Sequence, residues 1–547
     1  MLGEIMKKGF AKSLLASALI ATMAVSGAVA AEVPEGTKLH KEQKLIRNNG
    51  AEPQSLDPHK IEGVPEANLA RDQFEGLVNI DLNGEIRPGV AESWESDDYR
   101  VWRFNLRKDA KWSNGDPVTA EDFVYSWKRL VDPNTASPYA SYLQYAHVEN
   151  VDDIVNGKAD PDTLGVRALD DHTFEITLSE PIPYIDKLVG HTSTVPVHRA
   201  TVEKYGNQWT SPNNFVSNGA YKLKDWVVNE RIVLERNDQY WDNDKTVIDE
   251  VTFLAIPSEV TDVNRYRSGE VDMTNNAIPV DLFSRLQRDI PDEVKISPSL
   301  CTYYYEINNE QAPFDDARVR AAVKLALDRD IIANKVMGQG QTPAFGFTPP
   351  STVDMKAIEP EWFQLTQKER NEKAKQLLAD AGYGPGNPLS FTLLYNTSEA
   401  HRKVAIAAAS ILKQNAGIEV KLENQEWKTF LDSRHQGNYE VARAGWCADY
   451  NEPSSFLNIM LSTSSNNTSH YKSDEFDAAM RKSITAATED DRVKAYQEAE
   501  RILDEDSALV PIYYYVSPRL VKPYVGGYSV NNPLGYAYTK DMYIIEH

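Results

Sequence analysis

Trp102, Phe104 and Leu106 alternate with Arg103, Asn105 and Arg107, the two-residue period of a strand with one buried face. Ser113-Asn114-Gly115-Asp116-Pro117 then has the composition of a turn. Thr119-Ala120-Glu121-Asp122 offers a capped helix start, with Phe123 and Trp127 one turn apart. Upstream, the runs 76–81 and 86–88 flank Leu82-Asn83-Gly84-Glu85, and Asn-Gly between short strands predicts a hairpin. Farther along the period becomes helical. Asp315 and Asp316 precede a stripe of Val319, Val323 and Leu327, and Ala374, Leu377, Leu378 and Ala381 form another that stops at Gly382. The strand pattern 391–395, the helical pattern 399–416 and the strand pattern 418–422 predict a β-α-β unit. Strands and helices alternate without a fixed repeat, which implies mixed α/β domains rather than a solenoid.

The N-terminus breaks this pattern. Lys7, Lys8 and Lys12 precede or open an apolar run over 14–25, which ends in Ser26-Gly27-Ala28-Val29-Ala30-Ala31. A basic start, a short apolar stretch and an Ala-x-Ala end predict a secretory signal peptide over 1–30, cut after Ala30. The run is too short for a membrane anchor, which needs about 20 apolar residues. No cysteine lies near the cut, so the exported chain is expected in the periplasm or outside the cell without a lipid tether.

Composition narrows the classes further. A chain of 547 residues is too long for one core at about 100–200 residues per domain, so two or three domains are expected. Its 81 acidic against 58 basic residues give a net charge of −23, which argues against nucleic acid as a partner and against anionic lipid. With two cysteines, Cys301 and Cys447, cysteine-only zinc sites and iron–sulfur clusters are excluded. An oxidising compartment favours a disulfide between them, against two unconnected buried thiols.

No catalytic or metal-binding motif emerges. The histidines show no zinc spacing, and His191 and His198, seven apart, read as packed or surface imidazoles. Neither a Gly-x-Ser-x-Gly elbow nor a phosphate-binding loop occurs. Gly338-Gln339-Gly340 and the glycines at 382, 384 and 386 read as turns. The segment 434–451 stands apart: Arg434, His435, Arg443, Trp446, Asp449 and Tyr450 combine guanidinium, imidazole, carboxylate and aromatic groups. Guanidinium holds a carboxylate in a forked hydrogen bond and Asp449 can hold an ammonium, a set suited to a zwitterion; structural ion pairs on a solvated turn are the alternative.

Longer motifs carry a resemblance that covers about residue 40 to His547. Trp102-Arg103-Phe104-Asn105-Leu106-Arg107 with Lys111-Trp112-Ser113-Asn114-Gly115-Asp116-Pro117, Asn218-Gly219-Ala220-Tyr221, Arg236-Asn237-Asp238-Gln239-Tyr240-Trp241 and Tyr266-Arg267-Ser268-Gly269-Glu270-Val271-Asp272 resemble the peptide/nickel class of extracytoplasmic solute-binding proteins, family 5. Thr302-Tyr303-Tyr304-Tyr305-Glu306-Ile307-Asn308, Glu423-Asn424-Gln425-Glu426-Trp427 and Gly445-Trp446-Cys447-Ala448-Asp449-Tyr450-Asn451 are similar to its oligopeptide receptors of bacterial ABC importers.

The resemblance implies an α/β, bilobed periplasmic binding protein type II-like fold, with mixed sheets, an extra inserted domain and a hinge between lobes. Domain I is assembled from 31–74, 199–300 and 517–547, domain II spans 75–198, and domain III, the second lobe, spans 301–516. It also implies the Cys301–Cys447 disulfide. In similar proteins the peptide lies extended between the lobes. Asp449 matches the residue that holds its amino group. Glu62-Gly63-Val64 and Gly445-Trp446-Cys447 match two strand segments that pair with its main chain. Arg443, Arg434, His401 and His191 match positions around its carboxylate end, and Trp427, Trp446, Tyr139, Tyr304, Glu306, His435 and Tyr515 would line side-chain pockets. Met337 departs from the pattern, standing where the family carries a lysine facing the ligand channel. The expected partners are short peptides of two to five residues and the permease and ATPase subunits of an importer. The receptor is expected to be monomeric and to need no cofactor, metal or covalent chemistry. A murein- or signalling-peptide receptor is the alternative within the class; a secreted peptidase or a periplasmic chaperone is the alternative outside it.

Overall fold

The structure is a computed structural model that describes residues 31, 33–275, 278–353, 355, 358–486 and 488–547. The predicted export segment 1–30 lies outside the described residues. Three larger sheets organise the chain. The first joins Lys44–Asn48, Glu250–Leu254, Arg231–Arg236 and Tyr221–Val227 in that order, with only the first pair parallel. The second is antiparallel and joins Ala91–Glu95, Val101–Leu106, Thr173–Thr177 and Val166–Asp170. The third has six strands in the order Thr342–Pro343, Leu509–Leu520, Val294–Ile307, Val441–Cys447, Ser390–Asn396 and Glu419–Gln425.

Local patterns became the elements they predict. Val78–Ile80 pairs with Ile86–Pro88 across Gly84, whose φ of +87° needs a residue without a Cβ. Trp102, Phe104 and Leu106 are buried on one face of their strand. Helix Ala120–Val131 begins in a capping box in which the Asp122 carboxylate accepts from the Thr119 backbone N–H at 2.8 Å. Ser390–Asn396, helix Glu399–Ala416 and Glu419–Gln425 form the β-α-β unit with parallel strands. Leu327 differs: the helix from Asp316 ends at Ala326, and Leu327 is a buried extended cap residue.

Two bodies face each other across a cleft, one carrying the two four-stranded sheets and the other the six-stranded sheet. The strands Val294–Ile307 and Leu509–Leu520 run between them: Val294 to Pro298 pair with Leu520 to Val516, and Thr302 to Glu306 with Tyr514 to Leu509. The ladder slips between Pro298 and Thr302, where the connection is free of regular pairing. Tyr450, from the chain after strand Val441–Cys447, packs into the apolar core built from residues 77–189, and Trp446 packs against both that core and one of its own body. The residues between them, Ala448 and Asp449 included, are thereby held where the two bodies meet.

Candidate binding site

A cavity of about 590 Å³ lies between the bodies, within the range of roughly 300–1,000 Å³ of small-ligand sites. Its wall brings together Glu62, Val64, Tyr139, His191, His401, Trp427, Arg434, Arg443, Gly445, Trp446, Cys447, Asp449 and Tyr515. Tyr304, Glu306 and His435 stand behind it.

Strand Val441–Cys447 supplies most of one wall. On one edge it pairs with Cys301 to Ile307 along its whole length. On the other edge only Val441 and Ala442 pair, with Leu393 and Leu394, because the neighbouring strand diverges. From Arg443 to Cys447 the second edge therefore faces the cavity, an open ladder to which an extended chain can add. Cys301 and Cys447 lie directly opposite each other in the register and form a disulfide, with Cα atoms 4.0 Å apart, at the end of this ladder. Gly445 is tightly approached: a Cβ there would stand 3.0 Å from Arg443 Nη2 and 3.2 Å from Tyr515 Oη, so the ends of both side chains would have to move by a few tenths of an ångström.

Asp449 is 7 % exposed. The Tyr139 hydroxyl donates to its Oδ1 at 3.3 Å, and His191 Nε2 lies at 3.3 Å from the same oxygen. On its other side His191 Nδ1 accepts the Ser193 backbone N–H at 3.2 Å and lies 2.9 Å from the Ser193 hydroxyl, which fixes the ring beside Asp449. Among the described residues Oδ2 has no hydrogen-bond partner and no lysine or arginine pairs with this carboxylate. Burial, and then the Asp449 charge, push the Tyr139 phenol well above its ordinary value, so it stays a donor. The arrangement leaves an acceptor-only oxygen ready for an ammonium group. His191, expected with the arginines around a carboxylate end, is placed here instead, because the strand-to-turn geometry of 445–450 carries Asp449 against it.

Arg443 is the opposite case. Its Nη1 donates to Asn396 Oδ1 at 3.3 Å, its Nη2 donates to the Tyr515 hydroxyl, and its guanidinium lies 5.1 Å from the Tyr303 ring centre. Among the described residues no carboxylate pairs with it, and its buried Nε has no partner. His401 stands nearby with its Nδ1 unpartnered; burial, and then the Arg443 charge, hold its pKa well below the ordinary value, so the ring is neutral. A buried cation without a counter-charge is costly unless an anion joins it. Arg434 is not equivalent. Its Nε donates to Glu306 Oε2 at 2.8 Å and its Nη2 to Glu306 Oε1 at 3.3 Å and to Thr468 Oγ1 at 3.0 Å. Burial alone would raise the Glu306 carboxyl, but the Arg434 charge and hydrogen bonds hold it below the usual carboxylate range. Arg434 is thus already neutralised within the protein.

Other expectations are corrected by the local fold. Glu62-Gly63-Val64 is not a strand: Gly63 is an extended N-cap and Val64 opens helix Val64–Gln73, with Pro65 in the first turn, where its missing N–H is harmless. Glu66, fully buried beneath, has its carboxyl raised to about 7, by burial above all. Tyr304 is a core residue, 5.0 Å from the Phe347 ring, because strand Val294–Ile307 is covered on both faces from Ser299 onward. Met337 is buried in the second body's core and contributes an apolar surface to the cavity wall. Asn396, which holds Arg443, lies in no quoted motif, and Tyr303, which lies under it, belongs to the motif 302–308 without being marked there as a site residue.

His435 reaches across the cleft to Glu62, Nε2 to Oε1 at 2.7 Å. Burial would lower its pKa, but the hydrogen bond and charge of Glu62 raise it above the ordinary value of 6.5. The contact's stabilisation is therefore complete below about pH 6.5 and is lost as pH rises through the raised value. Melting profiles should show the difference between wild type and His435→Gln shrinking from pH 6 to pH 9; a difference independent of pH would remove the charge from this contact.

The family model described as bacterial extracellular solute-binding proteins, family 5 Middle, matches residues 85–468. The chain belongs to this family. As a family 5 chain it is 63% identical over 537 residues to the periplasmic oligopeptide-binding protein OppA of Salmonella typhimurium, covering 98% of this chain and 99% of that protein. Among solved structures, Haemophilus influenzae OppA in complex with RPPGFSPFR matches with a TM-score of 0.91 at 52% identity, over 93% of this chain and all of that one. The Escherichia coli murein tripeptide binding protein MppA matches in two forms at 48% identity. One has a TM-score of 0.92 over 93% of this chain and all of that one, and the unliganded open form has 0.66 over 94% and 99%. The family 5 fold of this chain, α/β and bilobed, is thus in the arrangement of the former, with its lobes together. Among the described residues no helix is long and apolar enough to cross a membrane.

Proposed function

We propose that this family 5 protein is a periplasmic receptor that binds short oligopeptides with little sequence selectivity and hands them to an inner-membrane ABC importer. One observation carries the reading. A strand edge open from Arg443 to Cys447 lies between an Asp449 oxygen and an Arg443 guanidinium that, among the described residues, have no partner and no counter-charge respectively. Main chain, ammonium and carboxylate are the groups every peptide has, so this site recognises peptides as a class. Arg443 and Asp449 are six positions apart, at most about 20 Å along a fully extended chain, an upper limit compatible with ligands of two to five residues.

The three-domain division 31–74, 199–300 and 517–547; 75–198; and 301–516 belongs to the same proposal. It is supported by one core drawn from 77–189 apart from Tyr450, one from 45–74, 195–273 and 521–544, and two within 300–513. Val195 and Val197 pack with the second of these, which argues for a boundary a few residues before 198. Export through the general pathway without a lipid anchor, a monomeric state and binding without turnover complete the reading. The greater identity to OppA than to MppA, 63% against 48%, favours general peptides over cell-wall peptides as ligand.

Freshly purified protein, opened under denaturing conditions in a mass spectrometer, should release a distribution of small peptides. Protein incubated with a tripeptide should bind it saturably in calorimetry and return it uncleaved. Cleavage would make the protein a peptidase, and binding of unfolded chains without a saturable tripeptide site would make it a chaperone.

A further inference from the structure

Two helices on opposite sides of the cleft begin with the same dipeptide. Ser258 caps helix Glu259–Ser268, which follows a strand of the first body, and Ser398 caps helix Glu399–Ala416 of the second. Each helix start is completed by the other. The Ser398 hydroxyl donates to Glu259 Oε1 at 2.8 Å, and the Ala400 N–H donates to the same oxygen at 3.1 Å. Reciprocally, the Ser258 hydroxyl donates to Glu399 Oε1 at 3.1 Å, and the Val260 N–H donates to Glu399 Oε2 at 3.1 Å. While donating across the gap, each serine oxygen also accepts the N–H three residues on in its own helix, Thr261 or His401, at 3.3 Å.

The physics of each half is ordinary. Helix N-termini carry unpaired N–H groups and partial positive charge, which a carboxylate satisfies. Here the carboxylate comes from the other body, and the exchange is symmetric, so four charge-assisted hydrogen bonds exist only when the bodies are together. Two glutamates brought close repel, and the two helix N-termini between them offset that repulsion. Lys403 and Asp281, 2.5 Å apart, span the same junction on its exposed side.

We propose that Ser258, Glu259, Ser398 and Glu399 form a reciprocal cap clasp that holds the lobes closed over ligand and thereby sets peptide affinity. The proposal rests on the receptor reading above and adds to it residues outside the two charge anchors. The clasp is joined to one anchor through a short segment. Asn396, two residues before the Ser398 cap, holds Arg443 Nη1, and His401, which the cap receives, packs 5.6 Å from the Tyr303 ring beneath Arg443. An anion that settles Arg443 settles the segment that closes the clasp. A ligand shifts a two-state equilibrium only by what it gains in the closed state, so contacts that exist only there strengthen every ligand alike.

The test is a double-mutant cycle on Ser258→Ala and Glu399→Ala, read as dissociation constants and dissociation rates for trialanine. Hydrogen bonds to a charged group of this kind correspond to about a tenfold change each way. Glu399→Ala should weaken trialanine about tenfold, chiefly through faster dissociation, and Ser258→Ala should add little once Glu399 is gone. Glu399→Gln, which keeps shape and one acceptor, should fall between wild type and Glu399→Ala and guards against a variant that folds poorly. Constants within twofold of wild type for all variants, or two effects that multiply independently, would overturn the clasp. A wild-type protein that binds no peptide would overturn the receptor reading instead.

Discussion

Asp449→Ala should weaken tripeptide binding by a hundredfold or more while moving the melting midpoint of the peptide-free protein by less than about 2 °C. Truncating one partner of a desolvated charge pair removes roughly 2–5 kcal/mol, because the other charge is left without its counterpart, and each 1.4 kcal/mol is about tenfold in affinity. Without ligand the account is different. The side chain loses a hydrogen bond from Tyr139 and the contact with His191, but the lobe interface is also relieved of a nearly buried carboxylate that, among the described residues, no lysine or arginine balances. These effects oppose each other, so stability changes little. Asp449→Asn keeps the shape and the acceptor oxygen but not the charge, and its affinity should fall between the two. Calorimetry with a tripeptide and a thermal melt of the free protein decide the matter. Unchanged affinity in Asp449→Ala would remove the amino-terminal anchor from the proposed site.

What separates Asp449 from the other charged groups of the cleft is not visible along the chain. Local signals were legible: the Asn83-Gly84 hairpin, the Thr119 capping box and the β-α-β unit of 390–425 each depend on residues within a few positions or on one hydrophobic period. The boundary at Val64 was not, because Glu62-Gly63-Val64 is extended up to Gly63 and helical from Val64, and a resemblance in sequence does not mark that turn. The two arginines show the limit most clearly. Arg434 and Arg443 are nine residues apart and chemically identical, yet Glu306, 128 positions before Arg434, neutralises one, and among the described residues no carboxylate reaches the other. That assignment follows from the register that sets Glu306 opposite Ala442 and Tyr305 opposite Arg443 in adjacent strands, a long-range fact that periodicity does not encode. The clasp has the same character. Ser258-Glu259 and Ser398-Glu399 each read as an ordinary helix start, and only the closed arrangement makes them partners.

Glu306→Leu should be the most destabilising of the single substitutions considered, by about 3–5 kcal/mol, because it leaves the buried Arg434 guanidinium without a counter-charge. Glu306 is 3 % exposed and accepts from Arg434 through both oxygens and from Thr468, so no water takes over the lost role. The pH dependence has a fixed sign. Because the folded-state carboxyl lies below its unfolded value, the stabilisation is present above about pH 4.5 and is lost as pH falls through the folded value. The gap between wild type and Glu306→Leu in melting midpoint should therefore be widest near neutral pH and close in acid. Replacing both partners, Glu306→Leu with Arg434→Met, removes the unpaired charge together with its partner and should recover most of the loss, as apolar pairs of similar volume do. The double variant also separates the two arginines by function. With Arg443 intact it should bind a tripeptide within about threefold of wild type, whereas a loss comparable to that of Asp449→Ala would return Arg434 to the carboxylate end of the peptide.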